Sequence, residues 1–190
     1  MTKDLLKAKF QDLGSFVLPR NFRGRSAFSV QLWWVVQSTL FKKSPQFAYK
    51  FRAAILRTFG ASVGKNTIIR PSATFTYPWK VIIGDNVWIG DDVTIYSLGE
   101  INIGHNSVIS QRSYICAADH DYLQPSFPIR ARPIRIGSEC WIATDSYIGP
   151  GVSIGNGAVI GARSSVFKDI PEMQVCVGSP CVPIKPRAIA

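Results

Sequence analysis

The sequence has no long hydrophobic run, and this absence excludes a membrane-spanning helix. An α-helix needs roughly twenty consecutive apolar residues to cross a bilayer. The best stretch, 27–41, is shorter and contains Gln31 and Ser38. Residues 1–10 are charged and lack the apolar core of a secretory signal. We therefore expect a cytoplasmic protein, and peripheral association with a membrane stays open.

Cysteine and histidine are scarce. The four cysteines, Cys116, Cys140, Cys176 and Cys181, form no CxxC pair, and a chain of 190 residues does not need disulfides to fold. We expect free thiols. Cys116 and His120 are four residues apart, but no second pair of ligands lies near them in the sequence. The sequence therefore predicts no metal site.

Acidic residues are scarce in the first third of the chain. Residues 1–60 contain eleven Lys or Arg and two Asp or Glu, whereas residues 61–190 contain eleven and ten. Eleven of the 22 aromatic residues also precede residue 61. This asymmetry indicates an anionic partner for the first segment. No nucleic-acid-binding motif accompanies the charge, so we expect no nucleic acid partner.

Self-similarity at a period of six residues is the strongest feature of the sequence. From residue 61 onward, each unit has an aliphatic or aromatic third residue, often followed by Gly, Asn or Asp, which tolerate positive φ at tight corners. The third residues are Val63, Ile69, Phe75, Ile83, Ile89, Ile95, Ile103, Ile109, Ile115, Ile136, Ile142, Ile148, Ile154, Ile160 and Val166. Three strand-and-turn units would form a triangular coil with these side chains inside. The period thus predicts a parallel β-helix of about five coils but not its handedness.

Several stretches resemble a known family. Residues 136–180 are similar to the terminal signature of sugar O-acetyltransferases, and residues 32–187 look like the colanic acid biosynthesis acetyltransferase branch. The shorter motifs are Phe59-Gly60-Ala61, Arg70-Pro71-Ser72, Tyr77-Pro78-Trp79-Lys80, Ile109-Ser110-Gln111-Arg112 and His120-Asp121-Tyr122. The sequence thus resembles the hexapeptide-repeat acyltransferases. This resemblance implies an all-β fold, a left-handed parallel β-helix with an N-terminal helical segment, a homotrimer and acetyl-CoA as acyl donor.

The chain divides into a basic, aromatic-rich helical segment (1–60), the β-helix (61–170) with an inserted loop (116–133), and a C-terminal tail (171–190). Residues 27–58 predict two helices. The apolar stripe of the first is Phe28, Leu32, Val35, Val36 and Leu40, and Trp33 and Trp34 widen it nearly all round. The stripe of the second is Phe47, Phe51, Ile55 and Phe59. The helices could cap the open end of the β-helix, whose unpaired edge invites aggregation. They could also rest on anionic lipid, and the two interpretations can hold together.

His120 is the candidate catalytic base. It lies in the inserted loop, and a loop in a regular solenoid often carries function. Acetyl transfer to a hydroxyl needs a group that removes the hydroxyl proton, and imidazole can do this near neutral pH. The resemblance implies the same role for His120. Asp119, Asp121 or a backbone carbonyl could fix its tautomer. His105 lies at a predicted corner and is interpreted as solvated.

The resemblance also implies where CoA binds. It implies a groove between neighbouring copies of the trimer, with Trp141 beside the pantetheine arm, Thr144 offering a backbone N–H to the thioester oxyanion, and Ala162 in the lining. The residues that could hold the nucleotide end are Phe167, Lys168, Lys185 and Arg187. Val182 stands where a sugar acetyltransferase often has arginine, a departure that puts the phosphate contacts in doubt.

The acceptor side departs further from the resemblance. Galactoside-type enzymes carry an Asn and an Asp where this chain has Gly90 and Leu98, so we expect a different mode of acceptor binding. The candidates are Asp91, Asp92, Tyr96 and Asp121, whose polar groups can bind sugar hydroxyls. Asp91 and Asp92 could equally be corner residues with only a structural role.

These features predict an O-acetyltransferase that moves acetyl from acetyl-CoA to a saccharide hydroxyl, in exopolysaccharide or related glycan biosynthesis. The saccharide could be lipid-linked. One alternative is an N-acyltransferase that acts on an amino sugar, because it would need the same base and groove. A second is a non-catalytic β-helix scaffold, which would need neither His120 nor CoA.

Overall fold

A computed structural model describes residues 9–188, and its central feature is a three-faced parallel β-helix of five full coils and part of a sixth. The first face holds β1 (Ser62–Val63), β4 (Val81–Ile83), β7 (Ile101–Ile103), β12 (Ile134–Ile136) and β15 (Ser153–Ile154). The second holds β2 (Ile68–Ile69), β5 (Trp88–Ile89), β8 (Val108–Ile109), β13 (Trp141–Ile142), β16 (Val159–Ile160), β18 (Gln174–Gly178) and β19 (Cys181–Pro186). The third holds β3 (Thr74–Phe75), β6 (Thr94–Tyr96), β9 (Tyr114–Cys116), β14 (Tyr147–Ile148) and β17 (Ser165–Val166).

The core is a stack of the predicted third-position side chains. All fifteen are buried, and each pairs in register with its equivalent one coil away, as Ile83 does with Ile103 and Ile103 with Ile136. Burial of these side chains removes apolar surface from water and is the main stabilising term of the prism. The predicted β-helix is confirmed.

The corners depend on residues that tolerate a left-handed backbone. Asn86 and Asn106 have φ of 58° and 55°, and the Asn86 amide donates to the Asn106 side-chain oxygen at 2.9 Å. A β-carbon on Gly84 would lie 2.7 Å from the backbone nitrogen of His105, so only glycine fits between these coils. His105 is exposed at this corner, and its Nδ1 accepts from the backbone N–H of Asp85 at 2.9 Å.

A helical cap covers the first coil. It consists of α1 (Ala27–Val36), a π-helical turn (Gln37–Phe41) and α2 (Tyr49–Thr58); two 3₁₀ turns lie at Leu13–Ser15 and Pro78–Lys80. The Ser26 hydroxyl caps α1 by accepting from the N–H of Ser29. The Trp33 indole donates to the carbonyl of Phe75 in β3 at 2.8 Å. These contacts hold the cap against the open end of the prism.

The packed sides of the cap match the predicted apolar stripes only in part: Val36, Ile55 and Phe59 pack against the core, whereas other members of the stripes are exposed. In α1 the buried residues are Val30 and Trp33, whereas Phe28 and Val35 of the predicted stripe are 76% and 58% exposed. In α2 the buried residues are Arg52, Ala53 and Leu56, whereas Phe47 and Phe51 are 81% and 46% exposed. Arg52 can be buried because its guanidinium donates to backbone carbonyls, which a helical wheel cannot reveal.

The segment predicted as a tail lengthens the second face. β18 pairs in parallel with β16, and β19 returns antiparallel to β18. Cys176 of β18 is buried and continues the inward stack. Residues 1–8 of the predicted N-terminal segment and residues 189–190 of the predicted tail lie outside the described residues.

Candidate active site

His120 lies on a two-stranded ribbon that leaves the prism between the third and first faces. The ribbon pairs β10 (Ala118–His120) with β11 (Ile129–Ala131) in antiparallel register, within the predicted inserted loop. The N-terminal arm is tied to this loop, because the N–H of Asp12 donates to the carbonyl of Pro125 at 2.6 Å. His120 is partly buried.

The imidazole of His120 is oriented by Phe127. Its Nδ1 lies 2.8 Å from the carbonyl oxygen of Phe127, and the two rings stack with centroids 4.2 Å apart and an interplanar angle of 8°. A carbonyl can only accept, so in the neutral ring Nδ1 carries the proton and Nε2 has a free lone pair. Phe16 of the N-terminal arm adds a tilted ring contact to His120 at 6.2 Å.

Asp119 and Asp121 stabilise the ribbon and form no hydrogen bond with the imidazole among the described residues. Asp119 accepts two hydrogen bonds from Arg130, at 2.8 and 3.0 Å, and pairs with Arg132 at 3.1 Å. Burial raises the pKa of Asp119, but Arg130 and Arg132 outweigh this effect and hold the pKa below its usual value. Asp121 accepts from the N–H of Leu123 at 3.1 Å and so closes the turn of the loop.

A long groove runs along the second face beside its corner with the third face. Its upper part has a volume of about 360 Å³ and is lined by Trp141, Thr144 and Ala162, which were predicted to contact CoA. The Trp141 indole is 49% exposed and donates to the Ser110 hydroxyl at 3.0 Å. The Thr144 hydroxyl donates to the Gln111 carbonyl at 3.0 Å. An exposed indole over small residues offers an apolar wall to an extended ligand.

The other predicted CoA residues lie elsewhere on the chain. Phe167 and Lys168 are exposed beyond β17, at the corner of the third and first faces, where Phe167 contacts Tyr147 with centroids 5.7 Å apart. Lys185 is exposed in β19. The Arg187 guanidinium donates to the carbonyls of Glu139 and Gly157 at 2.7 and 3.0 Å, so it is already held by the backbone.

The predicted acceptor residues separate into two places. Asp91 and Asp92 line the lower part of the groove, which has a volume of about 640 Å³. Asp91 accepts from Arg70 Nε at 2.8 Å, and Asp92 has a φ of 55°, as expected of a corner residue. Tyr96 ends β6 next to the ribbon, where its carbonyl accepts from the N–H of Ala117 at 3.1 Å. Tyr96 therefore lies on the same side of the prism as His120.

His120 and the groove cannot meet within one chain. The ribbon leaves the prism at the corner of the third and first faces, whereas the groove lies at the corner of the second and third faces, so the third face separates them. Trp141 pairs in register with Val108 on the second face, and its side chain faces outward there. A site that used both features would need two copies of the chain.

Two family models match the chain: the bacterial transferase hexapeptide (six repeats) at residues 133–168 and the hexapeptide repeat of succinyl-transferase at residues 80–115. The chain is 56% identical over 177 residues to a protein of Escherichia coli (strain K12) that is named as the colanic acid biosynthesis acetyltransferase WcaF. The match covers 93% of this chain and 97% of that protein. The chain belongs to the hexapeptide-repeat acyltransferases.

Solved structures agree with this assignment. The maltose O-acetyltransferase from Clostridium difficile 630 superimposes with a TM-score of 0.78 at 30% identity, over 86% of this chain and 90% of that chain. A galactoside acetyltransferase in complex with coenzyme A gives a TM-score of 0.79 at 27% identity, over 90% and 84%. The protein is thus an acetyltransferase with the left-handed β-helix of this family.

Two features of this hexapeptide-repeat enzyme were not anticipated from the sequence. The first is that Phe127 contacts His120 through both its ring and its carbonyl. Phe127 has a φ of 49°, which is uncommon for phenylalanine, and no sequence motif predicts this conformation. Phe16 reaches His120 across more than a hundred residues of chain.

Among residues 9–188, no group of three His, Cys, Asp or Glu side chains could hold a metal ion, and no helix is long and apolar enough to cross a membrane.

Proposed function

We propose that the protein transfers acetyl from acetyl-CoA to a hydroxyl group of a saccharide and that His120 is the general base. The observation that carries this proposal is the 2.8 Å contact of His120 Nδ1 with the Phe127 carbonyl. It leaves Nε2 as the atom that can accept a proton. The scaffold alternative gives no reason for such an oriented imidazole on a loop.

The reaction needs one proton transfer and one acyl transfer. The hydroxyl oxygen attacks the thioester carbonyl carbon while His120 Nε2 accepts the hydroxyl proton. The tetrahedral oxyanion then collapses, the carbon–sulfur bond breaks, and the proton returns to the CoA sulfur. The carbonyl of Phe127 stabilises the intermediate imidazolium, because it accepts from Nδ1–H throughout.

The proposed site forms between two copies of the chain in a homotrimer. The separation of His120 from the Trp141 groove within one chain supports this arrangement. One copy would supply Trp141 and Ala162 for the pantetheine arm and the backbone N–H of Thr144 for the thioester oxyanion, and its neighbour would supply His120. Phe167, Lys168 and Lys185 would then contact the nucleotide end.

The acceptor is proposed to be a saccharide in exopolysaccharide assembly, in line with the 56% identity to WcaF, which is named for colanic acid biosynthesis. It could be lipid-linked. Asp92 and Tyr96 are the acceptor candidates with the greater freedom to bind sugar hydroxyls, because Asp91 already pairs with Arg70 and Asp121 closes the turn. A membrane contact of segment 1–60 would involve another part of the chain.

The test is thiol release from acetyl-CoA in the presence of nucleotide sugars, free oligosaccharides or lipid-linked saccharides. Each acceptor is offered with a free hydroxyl or with an amino group at the reacting position. We expect turnover with a hydroxyl acceptor and a loss on the order of a hundredfold or more in kcat for His120→Ala. His105→Ala is the matched control and should retain activity, because His105 is an exposed corner residue.

Two results would overturn the proposal. Equal kcat values for the wild type and His120→Ala would remove His120 as the base. Turnover confined to amine acceptors would replace O-acetylation by N-acetylation. Mixtures of His120→Ala with Trp141→Ala test the shared site at acetyl-CoA concentrations well below the KM. If each site draws on two copies, mixed trimers contain sites with both side chains intact, and kcat/KM should exceed the average of the two separate variants.

A further inference from the structure

The outer side of the helical cap is an exposed apolar surface. The inner sides of α1 and α2 pack on the first coil, through Trp33 on β3 and Arg52 on β2, so their opposite sides point away from the prism. Leu32 of α1 and Thr58 of α2 line one shared surface cavity of about 220 Å³, so the two helices are neighbours at this point. We name as the cap surface Phe28, Leu32, Val35, Leu40, Phe47 and Phe51, all of which are exposed.

The stretch of sequence that forms the cap surface is rich in positive charge and contains no acidic residue. Between Asp12 and Asp85 the chain contains eleven Lys or Arg residues and not one Asp or Glu. Lys42, Lys43 and Lys50 are exposed, and none of them forms an ion pair within residues 9–188.

These lysines are close in sequence to apolar residues of the cap surface. Lys42 and Lys43 directly follow the π-helical turn that contains Leu40. Lys50 lies three residues after Phe47 and one before Phe51, on the exposed side of the second helix. Three other cations of this acid-free stretch have partners: Arg52 and Arg57 donate to backbone carbonyls, and Lys80 donates to the carbonyl of Phe22.

We propose that the cap surface binds the surface of a membrane that contains anionic phospholipid. Exposed Phe and Leu side chains can enter the boundary between headgroups and acyl chains, while lysines beside them contact anionic headgroups. A second copy of the chain fits less well, because it would bring an equally positive surface against the first. A nucleic acid would pair with the lysines but leave the aromatic rings in water. Only the lipid surface complements both features.

The proposal concerns binding alone and does not depend on the transfer reaction. The full-length protein is sedimented with vesicles of phosphatidylglycerol and phosphatidylcholine in equal parts, and with vesicles of phosphatidylcholine alone, at low and physiological salt. We expect binding to the anionic vesicles that weakens with salt, because the lysine contribution is screened. Much weaker binding is expected to the neutral vesicles.

Two double variants separate the apolar and the charged contributions. Phe47→Ser/Phe51→Ser should lower the partition coefficient on the order of tenfold. Lys43→Gln/Lys50→Gln should lower it by a similar factor and reduce the salt dependence. The matched control Lys65→Gln/Arg135→Gln removes two exposed charges outside the cap surface and should bind as the wild type does.

Four results would overturn the proposal. They are no sedimentation with anionic vesicles, equal binding to neutral vesicles, an equal loss in the control variant, and a change of oligomeric state in Phe47→Ser/Phe51→Ser with vesicle binding unchanged. The last result would assign the cap surface to contacts between copies of the chain. Unchanged circular dichroism of each variant establishes that it is folded.

Discussion

The stack of Phe127 on His120 gives the sharpest prediction of the structure. Replacing Phe127 by alanine keeps the backbone, the β-carbon and the carbonyl that accepts from His120 Nδ1, and removes only the ring. Phenylalanine and alanine both have a β-carbon, so the backbone φ of 49° at position 127 costs the wild type and the variant about the same conformational free energy. The variant therefore isolates the contribution of the ring to the orientation of the imidazole.

The magnitude follows from the ring geometry. Two rings 4.2 Å apart and nearly parallel form a close stack, whereas Phe16 lies 6.2 Å away at 50°. An aromatic pair contributes about 0.5–1.5 kcal/mol beyond its buried area, which corresponds to roughly a two- to twelvefold loss of kcat if the stack orients the base in the transition state. We expect a smaller loss for Phe16→Ala, because its contact is longer and tilted.

The assay is steady-state thiol release, with kcat and the KM for acetyl-CoA determined separately across pH. The loss should fall on kcat, since the ring stacks on the base and does not line the groove proposed for CoA. Phe127→Tyr keeps the ring and should restore most of the rate. The reasoning would be refuted if Phe127→Ala kept the wild-type kcat, or if Phe127→Tyr lost as much as Phe127→Ala.

Three further predictions concern the cap, the groove and the ribbon. Arg52→Met leaves the carbonyls of Ile69, Pro45 and Gln46 without their donor, and at about 1 kcal/mol or more for each the free energy of unfolding should fall by about 3 kcal/mol or more in urea titration. Trp141→Ala should raise the KM for acetyl-CoA about tenfold with little change in kcat, because the indole would contact the pantetheine arm equally in the ground and transition states. Asp119→Asn should lower the melting temperature at pH 7, because a carboxylate with a lowered pKa stabilises the folded state at pH values above the ordinary carboxyl range. The difference in melting temperature between the wild type and Asp119→Asn should vanish as the pH falls through the lowered pKa.

For each of these variants, there is a control or a result that would contradict the prediction. Lys50→Met replaces an exposed cation in the same helix as Arg52 and should cost little stability. Trp141→Ala should leave the KM for the acceptor unchanged, and an unchanged KM for acetyl-CoA would contradict its place in the groove. A melting difference for Asp119→Asn that is the same at every pH would contradict the ion pairs as its cause.

The β-helix could be predicted because its determinants are local. Every sixth side chain must point inward to stack on its equivalent, so inward residues such as Ile83, Ile103 and Ile136 mark successive coils in the sequence. Corner residues such as Asn86 and Asn106 repeat for the same reason. The period leaves handedness undetermined, and the assignment to a left-handed helix depended on family resemblance.

The helical cap shows the opposite case. Periodicity located both helices, but the sides that pack were decided by partners far away in the sequence: the Phe75 carbonyl for Trp33 and the Ile69 carbonyl for Arg52. A buried arginine and an exposed Phe47 contradict the usual preference of each residue type. Helix position is a local property, whereas burial depends on which groups the first coil offers.

The sequence by itself therefore determined the repeat, the coil boundaries, the inserted loop and its histidine, because each depends on spacing along the chain. Tertiary structure alone decided that the Phe127 carbonyl fixes His120, that Asp119 pairs with Arg130 and not with His120, and that the Trp141 groove and the base lie at different corners of the prism. These relations join residues through space across coils and faces, and no period along the chain records them.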